Sequence, residues 1–99
     1  MAHDALKHAR VRIAEDVISR VLDGEAVILG LEAGVYYGLD SVGTRIWELI
    51  GERGWVREIL ARLVDEYDVE PGRCERDLLG LLRELREQGL ITVVDATAQ

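Results

Sequence analysis

The sequence predicts an α+β fold, a three-stranded antiparallel β-sheet followed by three α-helices. Short β-branched runs fill residues 11 to 39 and are separated by Asp23-Gly24 and by Gly34. From Val42 onward the apolar spacing changes to threes and fours, the period of a helix with one buried face. Breaks at Gly51 to Gly54 and at Glu70-Pro71-Gly72 divide that second half into three helical segments.

Residues 1 to 10 show no strand pattern and read as a flexible N-terminal tail, with 95 to 99 as its C-terminal counterpart and 11–94 as the folded domain. Val11, Ile13, Val17, Ile18, Val21 and Leu22 suggest extended structure interrupted around Ala14 to Asp16. Asp23-Gly24 follows, a pair that tolerates the positive φ angles of a two-residue type I′ turn, and Ala26-Val27-Ile28-Leu29 makes the returning strand. Gly34 ends a second turn, so Val35 to Leu39 becomes the third strand of a simple meander and lies at an edge.

Asp40 or Ser41 can cap the first helix by accepting from an early amide, and Val42, Ile46, Leu49 and Ile50 line one of its faces with Trp47 beside them. In the second helix Val56, Ile59, Leu60, Leu63, Val64 and Tyr67 form the clearest amphipathic pattern of the chain. Glu70-Pro71-Gly72 reads as a linker, and a third helix runs from about Arg73 to Gln88, where Gly89 stops it. Its leucines 78, 79, 81, 82 and 85 cover an arc of roughly 160°, wider than one packing face requires, which predicts two buried surfaces. Leu90 to Val94 then forms a short final strand or an apolar tail. Gly80 has no account at this level, since glycine in a helix interior costs about 1 kcal/mol relative to alanine.

Composition narrows the function. Of the 99 residues 48% are hydrophobic and 31% charged, enough apolar material for a core without metal or disulfide support. The net charge of -7 opposes nonspecific attraction to nucleic acid and to anionic lipid. A single cysteine, Cys74, rules out an internal disulfide, and no apolar run approaches the ~20 residues of a membrane span. The N-terminal MAHDALKHAR lacks a signal-peptide core, so a cytoplasmic location is expected.

Catalysis finds little support, and neither a metal site nor a cofactor is expected. His3 and His8 lie in the tail, Cys74 has no histidine near it in sequence, and no glycine-rich phosphate loop follows a strand. Cys74 reads more simply as a small side chain packed at the start of the third helix. Recognition is the better expectation. Val35-Tyr36-Tyr37-Gly38-Leu39 contains no Lys, Glu or Pro, the residues that usually stop a sheet edge from accepting another strand. Tyr36 and Tyr37 point to opposite faces, so one enters the core while the other faces solvent or a ligand. Beside that edge, Leu78, Leu79, Leu82 and Leu85 are expected to supply an apolar wall. Arg86 either pairs an acidic group of a partner or belongs to a solvated face with Glu75, Glu84 and Glu87.

Asp23-Gly24-Glu25 before an apolar strand, Tyr36-Tyr37-Gly38-Leu39-Asp40 leading to Val42-Gly43 and Ile46-Trp47, Ile59 with Leu63 and Tyr67-Asp68, Asp77-Leu78, and Gly89-Leu90-Ile91 occur in order. In these features the chain, over about residues 11 to 94, resembles the family of pyrroloquinoline quinone biosynthesis protein D, the stand-alone recognition elements of ribosomal peptide modification. The version with Ile46-Trp47 looks most like the leader-binding proteins of lasso-peptide gene clusters. The resemblance implies a winged-helix-like fold that holds a precursor's leader segment as an added strand on the third strand, in the cleft beside the third helix. It also implies as partners a leader-cleaving cysteine protease and a macrolactam-forming cyclase, or a radical enzyme as in quinone-cofactor biosynthesis. Many relatives have asparagine at Asp40 and a hydroxyl residue at Trp55; aspartate still caps a helix, whereas Trp55 weakens the usual cap.

Two other readings compete. A winged-helix DNA-binding regulator shares this outline, but its recognition helix should present several cations on one face, and the helices here mix signs. The chain is expected to be a monomer, with self-pairing through the open edge as the alternative.

Overall fold

The computed structural model describes residues 5–95, so the outermost parts of the two expected tails, 1–4 and 96–99, lie outside the described residues. A turn of 3-10 helix at Ala5–His8 precedes β1 (Arg10–Ile13), β2 (Val17–Leu22), β3 (Glu25–Gly30) and β4 (Val35–Gly38). Helices α1 (Ser41–Glu52), α2 (Val56–Glu66) and α3 (Pro71–Glu87) follow, and β5 (Ile91–Asp95) ends the described chain. The predicted α+β order holds: β2, β3 and β4 form an antiparallel sheet in that spatial order, succeeded by three helices. A second, two-stranded ribbon pairs β1 with β5. Neither segment is long enough to announce a partner in sequence, yet pairing buries Val11 and Ile91 to 1% exposure each.

Asp23 and Gly24 both have positive φ, 54° and 79°, as the tight turn between β2 and β3 demands. The register then sets two cross-strand rows. Ser19, Ile28 and Tyr37 face the helices, where Ile28 is fully buried, and Ile18, Leu29 and Tyr36 face outward. On the inner face Trp47 donates its indole N–H to Ser19 Oγ at 3.2 Å, so the buried ring keeps a partner. At the sheet end Leu39 N–H donates to the Ala26 carbonyl at 2.8 Å, but Ala26 N–H turns to the buried Thr44 Oγ1, also at 2.8 Å. One hydroxyl on α1 thus satisfies an amide that would otherwise be buried unpaired as the chain leaves the sheet.

Asp40 caps α1 by accepting from Gly43 N–H at 2.8 Å. Trp55 gives α2 no side-chain cap, as expected, and the Ala9 carbonyl just before β1 substitutes by accepting from Val56 N–H, while Val11 N–H of β1 donates to the Gly54 carbonyl. Gly54 is required there, since its φ is +85° and a Cβ would stand 2.8 Å from the Val11 oxygen. Leu6 and Ala9, from the stretch read as tail, are buried in the same core. The linker reading of residues 70–72 is corrected: Glu70 accepts from Gly72 and Arg73 N–H, and Pro71 occupies the first helical position, where its missing N–H costs nothing. The Arg45 guanidinium grips Glu66 in a two-pronged pair at 2.8 and 2.7 Å, tying α1 to α2. The core between sheet and helices holds Ile28, Leu49, Ile59, Leu63, Leu78, Leu82, Leu85 and Leu90.

Candidate functional site

Strand β4 is an edge of the three-stranded sheet, as its sequence predicts. In an antiparallel ladder, residues alternate between those bonded to the neighbouring strand and those whose amide and carbonyl point away from it. The Leu39 to Ala26 bond sets the phase, so Tyr37 and Val35 are bonded to Ile28 and Gly30 across β3. Tyr36 and Gly38 are therefore the residues whose main-chain N–H and C=O face the open side. Around Gly38 the space is clear, with nothing within 4 Å of where a Cβ would stand.

The paired tyrosines separate as the alternation requires. Tyr36 is 69% exposed on the outer face, whereas Tyr37 packs partly against the core and donates its hydroxyl proton to Glu84 of α3. Ionising Tyr37 would place a phenolate against that carboxylate. This hydrogen bond, aided by burial and by the charge of Glu84, pushes the tyrosine pKa up to about 12. The contact ties β4 to the C-terminal half of α3.

On the other side of that tie a cleft of about 770 Å³ opens between the end of β4, the start of α1 and the N-terminal half of α3. Ile46, Leu63 and Leu78 form its buried floor, and Val42, Tyr67, Cys74 and Leu81 line it as more accessible apolar groups. Asp40, Asp68, Glu70 and Asp77 contribute carboxylates to the lining, against the single guanidinium of Arg73. Glu70 is held below the ordinary carboxylate range by the Arg73 and Gly72 amides that it caps. Burial, with Asp77 nearby, raises the Cys74 thiol, which disfavours the reactive thiolate. Among the described residues no group of His, Cys, Asp and Glu is placed to hold a metal ion, and no helix is long and apolar enough to cross a membrane.

The residues singled out from sequence are distributed unevenly around this cleft. Val35, Tyr36, Tyr37 and Gly38 make the edge strand, and Leu39 turns inward just after it to 6% exposure. Leu78 belongs to the floor. Leu79 faces a second depression between α2 and α3, lined also by Val56 and Leu60, while Leu82 and Leu85 are fully buried in the core. Arg86 is exposed in the last turn of α3 and is absent from the cleft lining.

The α3 face turned toward the cleft carries Cys74, Asp77 and Leu81, and Glu84 beside them meets Tyr37 of β4. At ~100° per residue these positions span only ~80°. That stripe was present in the sequence, but its mixture of thiol, carboxylate and leucine hides it beside the continuous leucines of the core face. Val42 and Tyr67 were equally readable as helix-face residues, without a sign that they line a cavity.

Comparison with known proteins adds independent findings. No curated protein matches the chain. The solved structure of TbiB1 in complex with the TbiA(beta) leader peptide is similar at 41% sequence identity, over 81% of this chain and 93% of that one, with a TM-score of 0.77. The structure of lasso peptide synthetase B1 complexed with the leader peptide is similar at 25% identity, over 85% of this chain and 99% of that one, with a TM-score of 0.76. The family model of coenzyme PQQ synthesis protein D matches residues 25–91, from β3 through the start of β5. Since that match spans more than half of the sequence, the chain belongs to the coenzyme PQQ synthesis protein D family.

Proposed function

We propose that this protein binds the leader segment of a ribosomally made precursor peptide and presents it to modifying enzymes, performing no chemistry itself. The observation that carries the reading is the open edge of β4 beside the cleft of α3. A leader lying along β4 would exchange main-chain hydrogen bonds with Tyr36 and Gly38, and its alternate side chains would enter the apolar cleft. Affinity would come from the backbone and specificity from the pocket. The two solved structures compared above are complexes with leader peptides, which supports leader binding by this chain.

The finer assignment is lasso-peptide biosynthesis, with a leader-cleaving cysteine protease and then a macrolactam-forming cyclase as the enzymes served. Similarity to lasso peptide synthetase B1 supports it. Holding the leader on one domain converts the encounter of enzyme and core peptide into a local event, with an effective concentration set by the tether.

Fluorescence anisotropy tests the reading with the labelled leader of the precursor encoded beside this gene and a scrambled peptide as control. Binding of the true leader alone, with Kd of about 1 μM or tighter (roughly -8 kcal/mol), is expected. Equal or absent binding of both peptides would overturn it. Adding the neighbouring protease and following leader cleavage with and without this chain then tests the lasso assignment.

A further inference from the structure

The cleft's charge says more about its occupant. We propose that the leader bound here carries a lysine or arginine two residues from its apolar anchor, on the same strand face, held by Asp68 and Asp77. This rests on the assignment of β4 and the cleft as the leader site.

Four carboxylates line the cleft beside its apolar groups, but they are not equivalent. Asp40 and Glu70 are engaged as helix caps. Asp68 and Asp77 are exposed and make neither hydrogen bond nor ion pair among the described residues, so their charge is available to a ligand. Arg73 is the lone cation of the lining, and the chain as a whole carries -7, so the surrounding field favours a positive group as well.

Strand alternation narrows which leader residues feel that charge. A strand added to β4 alternates its side chains, so only every second residue points with Tyr37 toward α3. On α3, Asp77 precedes Leu81 by four residues, a rise of about 6 Å, close to the ~6.7 Å that separates alternate residues of a strand. A leader strand running alongside α3 with an apolar side chain against Leu81 would place its neighbour two positions away opposite Asp77. A carboxylate at that position would be repelled, and a cation on the opposite strand face would lie on the side of Tyr36, away from the acidic lining.

A display library of random 12-residue peptides, selected on the immobilised full-length chain, tests this. Enriched sequences should show Lys or Arg two residues from a recurrent apolar position. For a synthetic peptide from that set, Lys→Gln or Arg→Gln should weaken binding to the wild type by about 3- to 10-fold at low salt. The same change should have no effect on the Asp68→Asn/Asp77→Asn double variant. Enriched peptides that bind at the edge, and so are lost with Gly38→Pro, but show no basic preference would overturn the charge assignment alone. An equal loss in wild type and double variant would do the same. Peptides that bind Gly38→Pro as well as wild type, or no enrichment at all, would remove the parent reading and this one with it.

Discussion

Proline at position 38 separates peptide binding from folding. Gly38 sits at an edge, its amide faces away from β3, its φ is not positive, and no atom lies within 4 Å of a Cβ placed there. Gly38→Pro thus removes no ladder hydrogen bond, and an edge strand is where proline is tolerated. Unfolding free energy should stay within about 1 kcal/mol of wild type. A bound leader, in contrast, loses the donor for one of its carbonyls, which is left unpaired at about 1–3 kcal/mol, or roughly 5- to 150-fold in Kd. Gly38→Ala keeps the N–H and should bind nearly as wild type. Anisotropy with the leader probe reads the affinity, and urea unfolding reads the fold. Wild-type affinity in a folded Gly38→Pro would refute strand addition on β4, and an unfolded variant would refute the assigned phase of the β3–β4 ladder.

Four further outcomes are expected. Thr44→Val should lose about 1–3 kcal/mol in urea unfolding, because the Ala26 amide is left buried without an acceptor. Leu82→Ala should destabilise the fold by about 2–5 kcal/mol, whereas Leu81→Glu, at a half-buried position packed on the margin of the core, should cost only about 1–2 kcal/mol, leave the protein folded and abolish leader binding. Gly80→Ala should raise stability by about 0.5–1 kcal/mol, since a Cβ there meets nothing within 4 Å and nothing in the structure explains the glycine. The last concerns acid. The hydrogen bond from Arg45 holds Glu66 at about 2, below its ordinary 4.5, so the pair's stabilisation is complete above pH 4.5 and fades as pH falls toward 2. The melting-temperature gap between wild type and Arg45→Met should therefore be largest near neutrality and close across that window.

Local signals determined a good part of this protein from its sequence. The Asp23-Gly24 turn set the β2–β3 hairpin, Asp40 set the start of α1, and the absence of guarding charges marked β4 as an open edge. These are short-range effects, carried by backbone angles, caps and side-chain alternation within a few residues. Tertiary structure decided the rest. Pairing of β1 with β5 joins segments about eighty positions apart, and neither strand carries its partner's identity. Nor could periodicity say which leucines of α3 are floor, core or cleft. A helix faces several neighbours, and burial of Leu82 and Leu85, against partial exposure of Leu81, depends on where β4 and α2 come to rest. The same holds for the acidic lining, because Asp68 lies in the connection after α2 and Asp77 lies within α3. Only packing brings both to the mouth of a single cleft.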